Sequence, residues 1–163
     1  MVARTVLAAI VLLGAGAVAH ADVSAFVGAV TGPTPRPSIG VAWGRAGERA
    51  GFEVELARSV GAGSAEAPSL FTIAADAVVP LTSADGGPSY FGIGGIGGYG
   101  ESVGGGRGSS GLAVNVGAGA ILPLRGRLRL RLDYRLFFLR GSSDAEPVRP
   151  RRHRFSAGLS FAH

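Results

Sequence analysis

Between residues 127 and 140 charged and large apolar side chains take turns. Arg127, Arg129, Arg131, Asp133 and Arg135 alternate with Leu128, Leu130, Leu132, Tyr134 and Leu136. A helix would scatter these charges around its whole circumference and leave no apolar face, whereas a strand puts every charge on one side and every leucine on the other. The segment is a two-faced strand. The fold that contains it must offer one environment to arginine and a different one to leucine.

The same period of two recurs with weaker contrast. Phe52, Val54 and Leu56 alternate with Glu53 and Glu55; Leu112, Val114, Val116, Ala118, Ala120 and Leu122 alternate with Ala113, Asn115, Gly117 and Gly119; Phe155, Ala157, Leu159 and Phe161 alternate with Arg154, Ser156, Gly158 and Ser160. Glycine and proline clusters divide residues 22–163 into eight such segments, near 23–30, 38–45, 51–58, 69–80, 90–100, 111–123, 127–139 and 152–162. The hydrophobic share is 47%, yet no later window is a continuous apolar run of membrane-helix length. At about 9–11 residues per membrane strand, eight strands use most of this length, and the pattern predicts an all-β, eight-stranded, antiparallel, up-and-down transmembrane barrel.

The N-terminus sets the compartment. Arg4 precedes an apolar run from Val6 to Ala19, and Ala19-His20-Ala21 has the small-x-small form of a signal-peptidase site. The run is too short for a spanning helix and contains Gly14 and Gly16. Residues 1–21 therefore read as a cleaved signal peptide, and 22–163 as one outer-membrane barrel domain. There is no cysteine, so neither disulfides nor thiolate metal sites hold the fold. All sixteen basic residues are arginine, against eleven acids; an exported chain has little occasion to meet nucleic acid, and no nucleic-acid partner or cofactor is expected.

An even strand count returns both termini to one side, the periplasmic side in exported barrels. The longer connectors 59–68, 101–110 and 140–151 then lie outside and the tight Arg125-Gly126 turn inside, although the inner connector 81–89 is long for its place. Lipid-facing aromatics are expected in two belts, Trp43, Phe52, Phe91 and Phe161 at the periplasmic edge, and Phe71, Tyr99, Phe138 and Phe155 at the outer edge. One arginine on the lipid face costs about 2–4 kcal/mol at midplane, so the stripe must point into the lumen. There Arg127, Arg129, Arg131 and Arg135 meet Glu53, Glu55, Asp76 and Asp133, in a space lined elsewhere by Gly40, Ala42, Gly92, Gly94, Gly117 and Gly119. Eight strands leave an interior just wide enough for side chains to fill, and a plugged lumen is expected.

The C-terminal run from Ser156 to His163 resembles the outer-membrane assembly signal, with Ser156, Gly158 and Phe161 in place and His163 where a terminal Phe or Trp is usual. Together with Asp133-Tyr134-Arg135-Leu136-Phe137-Phe138-Leu139 and His153-Arg154-Phe155-Ser156, this end is similar to the broad family of small outer-membrane β-barrel proteins related to the OmpA membrane domain. The resemblance implies insertion by the barrel-assembly machinery and no one shared activity.

Three motifs invite chemistry. Gly92-Ile93-Gly94-Gly95-Ile96-Gly97 fits G-x-G-x-x-G, and Gly95 to Gly100 fits it again; overlapping matches in a glycine-dense strand with no helix after them signal curvature and not a dinucleotide loop. His153 raises a lipid A-modifying enzyme, but Ser156 falls on the opposite strand face and no acid is near in sequence; a rim histidine is the expectation, and catalysis is not. Arg149, Arg151 and Arg152, with Arg140 across the hairpin, stand at the outer rim, where outer-membrane lipids and lipopolysaccharide phosphates are the nearest partners. The function expected is a non-enzymatic structural or surface-contact barrel, with a narrow channel, a lipid A-modifying enzyme and a soluble periplasmic barrel as alternatives.

Overall fold

The computed structural model describes residues 22–31, 34–45, 47–62, 68–82, 87–103, 107–142 and 150–161. The leader expected over residues 1–21, together with Arg149 and His163, lies outside them. Eight strands run β1 (Asp22–Val30), β2 (Arg36–Arg45), β3 (Gly51–Ser59), β4 (Ser69–Thr82), β5 (Ser89–Val103), β6 (Arg107–Arg125), β7 (Leu128–Gly141) and β8 (Arg151–Phe161). Each pairs antiparallel with its sequence neighbour, and β8 pairs with β1 to close the barrel.

Each boundary follows from local chemistry. The β6–β7 connection is a two-residue turn at Gly126 and Arg127, with Gly126 at φ +62°, where a residue without Cβ is unstrained. Proline cannot donate to a ladder: Pro37 is the second residue of β2, and Pro80 and Pro123 sit at register shifts, between Pro80 and Thr82 and between Pro123 and Arg125. β5 and β6 extend beyond their expected ends, pairing as far as Val103 opposite Arg107. Most of the connector expected at 101–110 is therefore strand, and β6 runs on past its ladder with β7 on the side away from the termini, the far end, while β4 stays paired with β5 up to Ser102.

The two faces of the wall differ in kind. Arg135, Arg152 and Glu55 are among the most buried large side chains, whereas Val27, Ile39, Phe52, Phe71, Ile96, Val116, Leu132 and Phe155 are exposed. Every strand contributes an exposed large apolar group to this outer coat. A soluble monomer rarely exposes a contiguous apolar patch beyond a few hundred Å², so the arrangement disfavours the soluble alternative. It suits a barrel whose outer solvent is lipid.

One strand departs from expectation. In β5 it is Phe91, Ile93, Tyr99 and Glu101 that are buried, while Tyr90 and Ile96 are exposed. Phe91 and Tyr99 are thus lumenal and not members of the lipid-facing belts, and Gly92 and Gly94 point outward. The cause is cross-strand register: Asp76 is opposite Gly95 and Thr72 opposite Tyr99, and directly opposed residues share a face. Asp76 must face inward, so the odd-numbered face of β5 does too. Tyr90, beside Phe91, supplies the outward aromatic at the edge nearer the termini. Trp43, Phe52 and Phe161 face outward near that edge, and Phe71, Phe138 and Phe155 on the far half.

Candidate functional site

The inward face gathers charge from β2, β3, β4, β5, β7 and β8. Arg135 on β7 lies at the centre: Nη2 is 2.7 Å from Glu53 Oε1 and 3.1 Å from Glu55 Oε2, Nη1 is 2.5 Å from Asp76 Oδ2, and Nε donates to Asp133 Oδ1 at 3.0 Å. Only a guanidinium, with five donors in a planar fork, can address so many carboxylates at once. Arg131, two inward positions away on the same strand with Asp133 between, pairs with Glu53 and reaches Asp133 Oδ2 at 2.9 Å. Asn115 on β6 donates from Nδ2 to the second Asp76 oxygen at 2.7 Å.

The lattice continues toward the far end through β8. Arg154 Nη2 is 2.5 Å from Glu55 Oε2, and Arg152 Nη2 is 2.5 Å from Glu101 Oε1. Arg36 on β2 donates to the Pro68 carbonyl. Arg36, Arg131, Arg135, Arg152 and Arg154 thus stand with Glu53, Glu55, Asp76, Glu101 and Asp133, and Arg129 and Asp22 share the same inward face nearer the termini. This parity answers a physical need, because a buried charge left without compensation is expensive.

Aromatic and apolar groups fill what the charges leave. The Arg131 guanidinium carbon lies 4.7 Å from the Phe91 ring centre, and that of Arg154 lies 4.8 Å from Phe26 and 5.1 Å from Phe137, within cation–π range. Inward glycines make room for these rings: a Cβ at Gly40 would run into Phe26, and one at Gly119 into Phe91. Leu70, Tyr99, Ala113, Phe137 and Leu139 form a buried apolar cluster toward the far end. Amid Phe26, Glu55, Arg131, Asp133 and Arg135 the void is about 10 Å³, about the least space that holds one water. A wider recess of about 220 Å³, lined in part by Phe91, Arg129 and Arg131, opens at the end nearer the termini.

Glu53, Glu55, Asp76, Arg131, Asp133 and Arg135 are brought together. Arg129 is half-buried at the recess and Arg127 is exposed; Arg127 does not enter the lumen, because it occupies the turn itself. Arg152 is buried against Glu101 and is not available to lipid at the rim. Strand alternation explains it, since Arg152 and Arg154 share the inward face and Arg151 and His153 the outward one. Arg140 and Arg151 are exposed. Of the C-terminal motif, Ser156 and Gly158 lie on the inward face of β8 and Phe161 on the outward face. Glu101 and the apolar cluster were not anticipated; Asn115 and Arg154 were read only as polar members of alternating strands and Arg152 only as a rim contact, although the period of two puts Arg152 on the face of Arg154.

Among the described residues the side-chain partner of His153 is a tyrosine hydroxyl and not a carboxylate. Its Nδ1 is 2.9 Å from the Tyr134 hydroxyl, where a catalytic imidazole would need a carboxylate to orient it, and Ser156 is on the opposite face. The G-x-G-x-x-G stretch lies wholly inside β5 and forms no loop. Among the described residues no cluster of three or more histidine or carboxylate side chains is placed to hold a metal.

Comparison with known proteins points one way. The chain is similar in structure to Neisserial surface protein A (15% identity, 88% of this chain and 96% of that one, TM-score 0.65). It is similar also to the N-terminal β-barrel domain of Pseudomonas aeruginosa OprF (11%, 88% and 96%, 0.63) and to the outer membrane enzyme PagL (18%, 87% and 99%, 0.53). No family model matches the sequence, and no curated protein matches it either. The fold is that of the small outer-membrane β-barrels, and the apolar coat is built for the same solvent.

Proposed function

We propose that the protein is a closed, non-enzymatic barrel of the outer membrane, whose work is done by its wall and its far-end hairpins and not through its lumen. The observation that carries this reading is the Arg135-centred lattice, which crosses the lumen from β3 and β4 to β7. A permeant ion or solute would have to break several charge-assisted hydrogen bonds at once, next to a void of about 10 Å³. The likeness to PagL keeps lipid modification as the competing reading, and the pairing of His153 with a tyrosine hydroxyl weighs against it. In this reading lipid, together with the assembly machinery during insertion, is the protein's immediate partner.

The test is planar-bilayer recording on protein purified in detergent. No steady current is expected across the voltages at which open diffusion pores conduct; a stable ohmic conductance of that size overturns the closed-lumen reading. Lipid A from a strain expressing the chain should keep its acylation pattern, and a changed pattern would establish the enzymatic alternative.

A further inference from the structure

The outer wall is not uniform. Across β1, β8, β7 and β6, antiparallel register sets two rows side by side: Ala29, Phe155, Tyr134 and Ala118, and below them Val27, Ala157, Leu132 and Ala120. The alanines are short and stand beside long neighbours, so the wall is hollowed into an open groove of about 750 Å³ bordered by these residues. The groove is shallow and open to the outside of the wall, and its outward lining is mostly apolar, as a surface for an acyl chain requires.

Directly above the groove, toward the far end, the chemistry turns polar and then cationic. Leu136 pairs with His153, and His153 Nδ1 meets the hydroxyl of Tyr134 at the groove's upper row. That contact leaves Nε2 as the edge of the ring able to address an outside group. The next pair is Phe138 and Arg151, with the Arg151 guanidinium 6.0 Å from the Phe138 ring centre, and Arg140 is the next outward position on β7. Arg140, Arg151 and His153 are exposed. Read from the far end downward, the strip is two guanidinium groups, one imidazole, then an apolar trough.

We infer that this wall is a binding site for one phosphorylated lipid of the outer leaflet, its phosphate held by Arg140, Arg151 and His153 and an acyl chain laid along the groove. The inference deepens the membrane-barrel reading and rests on it, since it needs the far end at the outer surface. Charge complementarity selects the occupant. Guanidinium groups bind phosphate in the bidentate manner that ammonium groups do not, and the dry trough just beneath them selects an amphiphile over a free anion. A neutral partner surface would leave both arginines without use.

The test is native mass spectrometry of the full chain expressed with its leader and purified in detergent, with bis-phosphorylated lipid A as the probe and phosphatidylethanolamine as its competitor. One bound lipid A is expected, retained against the competitor. The double substitution Arg140→Ser with Arg151→Ser should weaken it about tenfold or more, the loss of two charge-assisted hydrogen bonds. Ala157→Phe, which fills the trough and leaves every charge in place, should weaken it likewise. Arg58→Ser, exposed on β3, should leave binding unchanged. Equal binding by all four proteins overturns the proposal, as does full displacement by inorganic phosphate, which would mean that the charges alone are read. A lipid-free dimer lost in Ala157→Phe also overturns it and assigns the groove to a second copy. A chain that stays soluble without detergent would instead overturn the membrane reading beneath it.

Discussion

Replacing Arg135 with methionine removes the hub of the lumen while keeping most of its volume. Of the four carboxylates around it, Glu53 and Asp133 keep Arg131 and Glu55 keeps Arg154. Asp76 keeps only the Asn115 amide among the described residues. The variant therefore buries essentially one uncompensated carboxylate, and breaking a buried pair from one side costs about 3–5 kcal/mol. At about 1.4 kcal/mol per decade, the folded-to-unfolded ratio should fall by roughly 10² to 10⁴. Adding Asp76→Asn in the same chain neutralises the stranded group and retains its shape, so at least half of the loss should return. Trp43 is the only tryptophan and lies on the outward face of β2, so urea titration in lipid vesicles followed by its fluorescence reads the transition. A single-variant loss below about 1 kcal/mol, far short of a broken buried pair, would refute the reasoning, and so would a double variant no more stable than the single.

Two further outcomes test the wall and its turn. Ile96→Arg, at mid-height on β5, should cost about 2–4 kcal/mol and Leu124→Arg, next to the Gly126 turn, only about 0–1; equal costs in vesicle unfolding would mean that the coat does not cross a bilayer at the assumed depth. Gly126→Ala should cost about 1–2 kcal/mol from its left-handed φ alone, since a Cβ there meets nothing within 4 Å. Asn at the same position should recover part of that, and an alanine variant as stable as the parent would be the contrary result.

Strand positions were legible to within a few residues because the two solvents of a membrane barrel write themselves into the chain every second residue. β7 shows this best, since arginine and leucine differ so greatly in transfer energy that no other period fits. β5 shows the limit. From Gly92 to Gly100 six of nine residues are glycine and carry no side chain to reveal a face, so sidedness there is decided by pairing with Asp76 on the neighbouring strand, which no local pattern carries. The apolar lumen cluster escaped for a related reason. Polar inside and apolar outside describes a water-filled barrel, but a closed one also needs a packed interior, and Tyr99, Phe137 and Leu139 serve it. Among the lumen charges, the acids of β3 and the arginines of β7 were placed together by energy alone, without knowledge of distance. Glu101 was missed because the longer reach of β5 was not visible.

The pairing of Arg154 with Glu55 joins residues 99 apart in the chain, and Arg152 with Glu101 spans 51. Both arginines belong to β8, the last strand to be made. Until it docks, Glu55 lacks Arg154 and Glu101 lacks Arg152, and closure supplies the charge that compensates them. Closure then delivers two arginines to their acids in the same step that zips β8 to β1. The final strand therefore acts as a timing element. It makes completion of the ring and neutralisation of these two buried acids the same step.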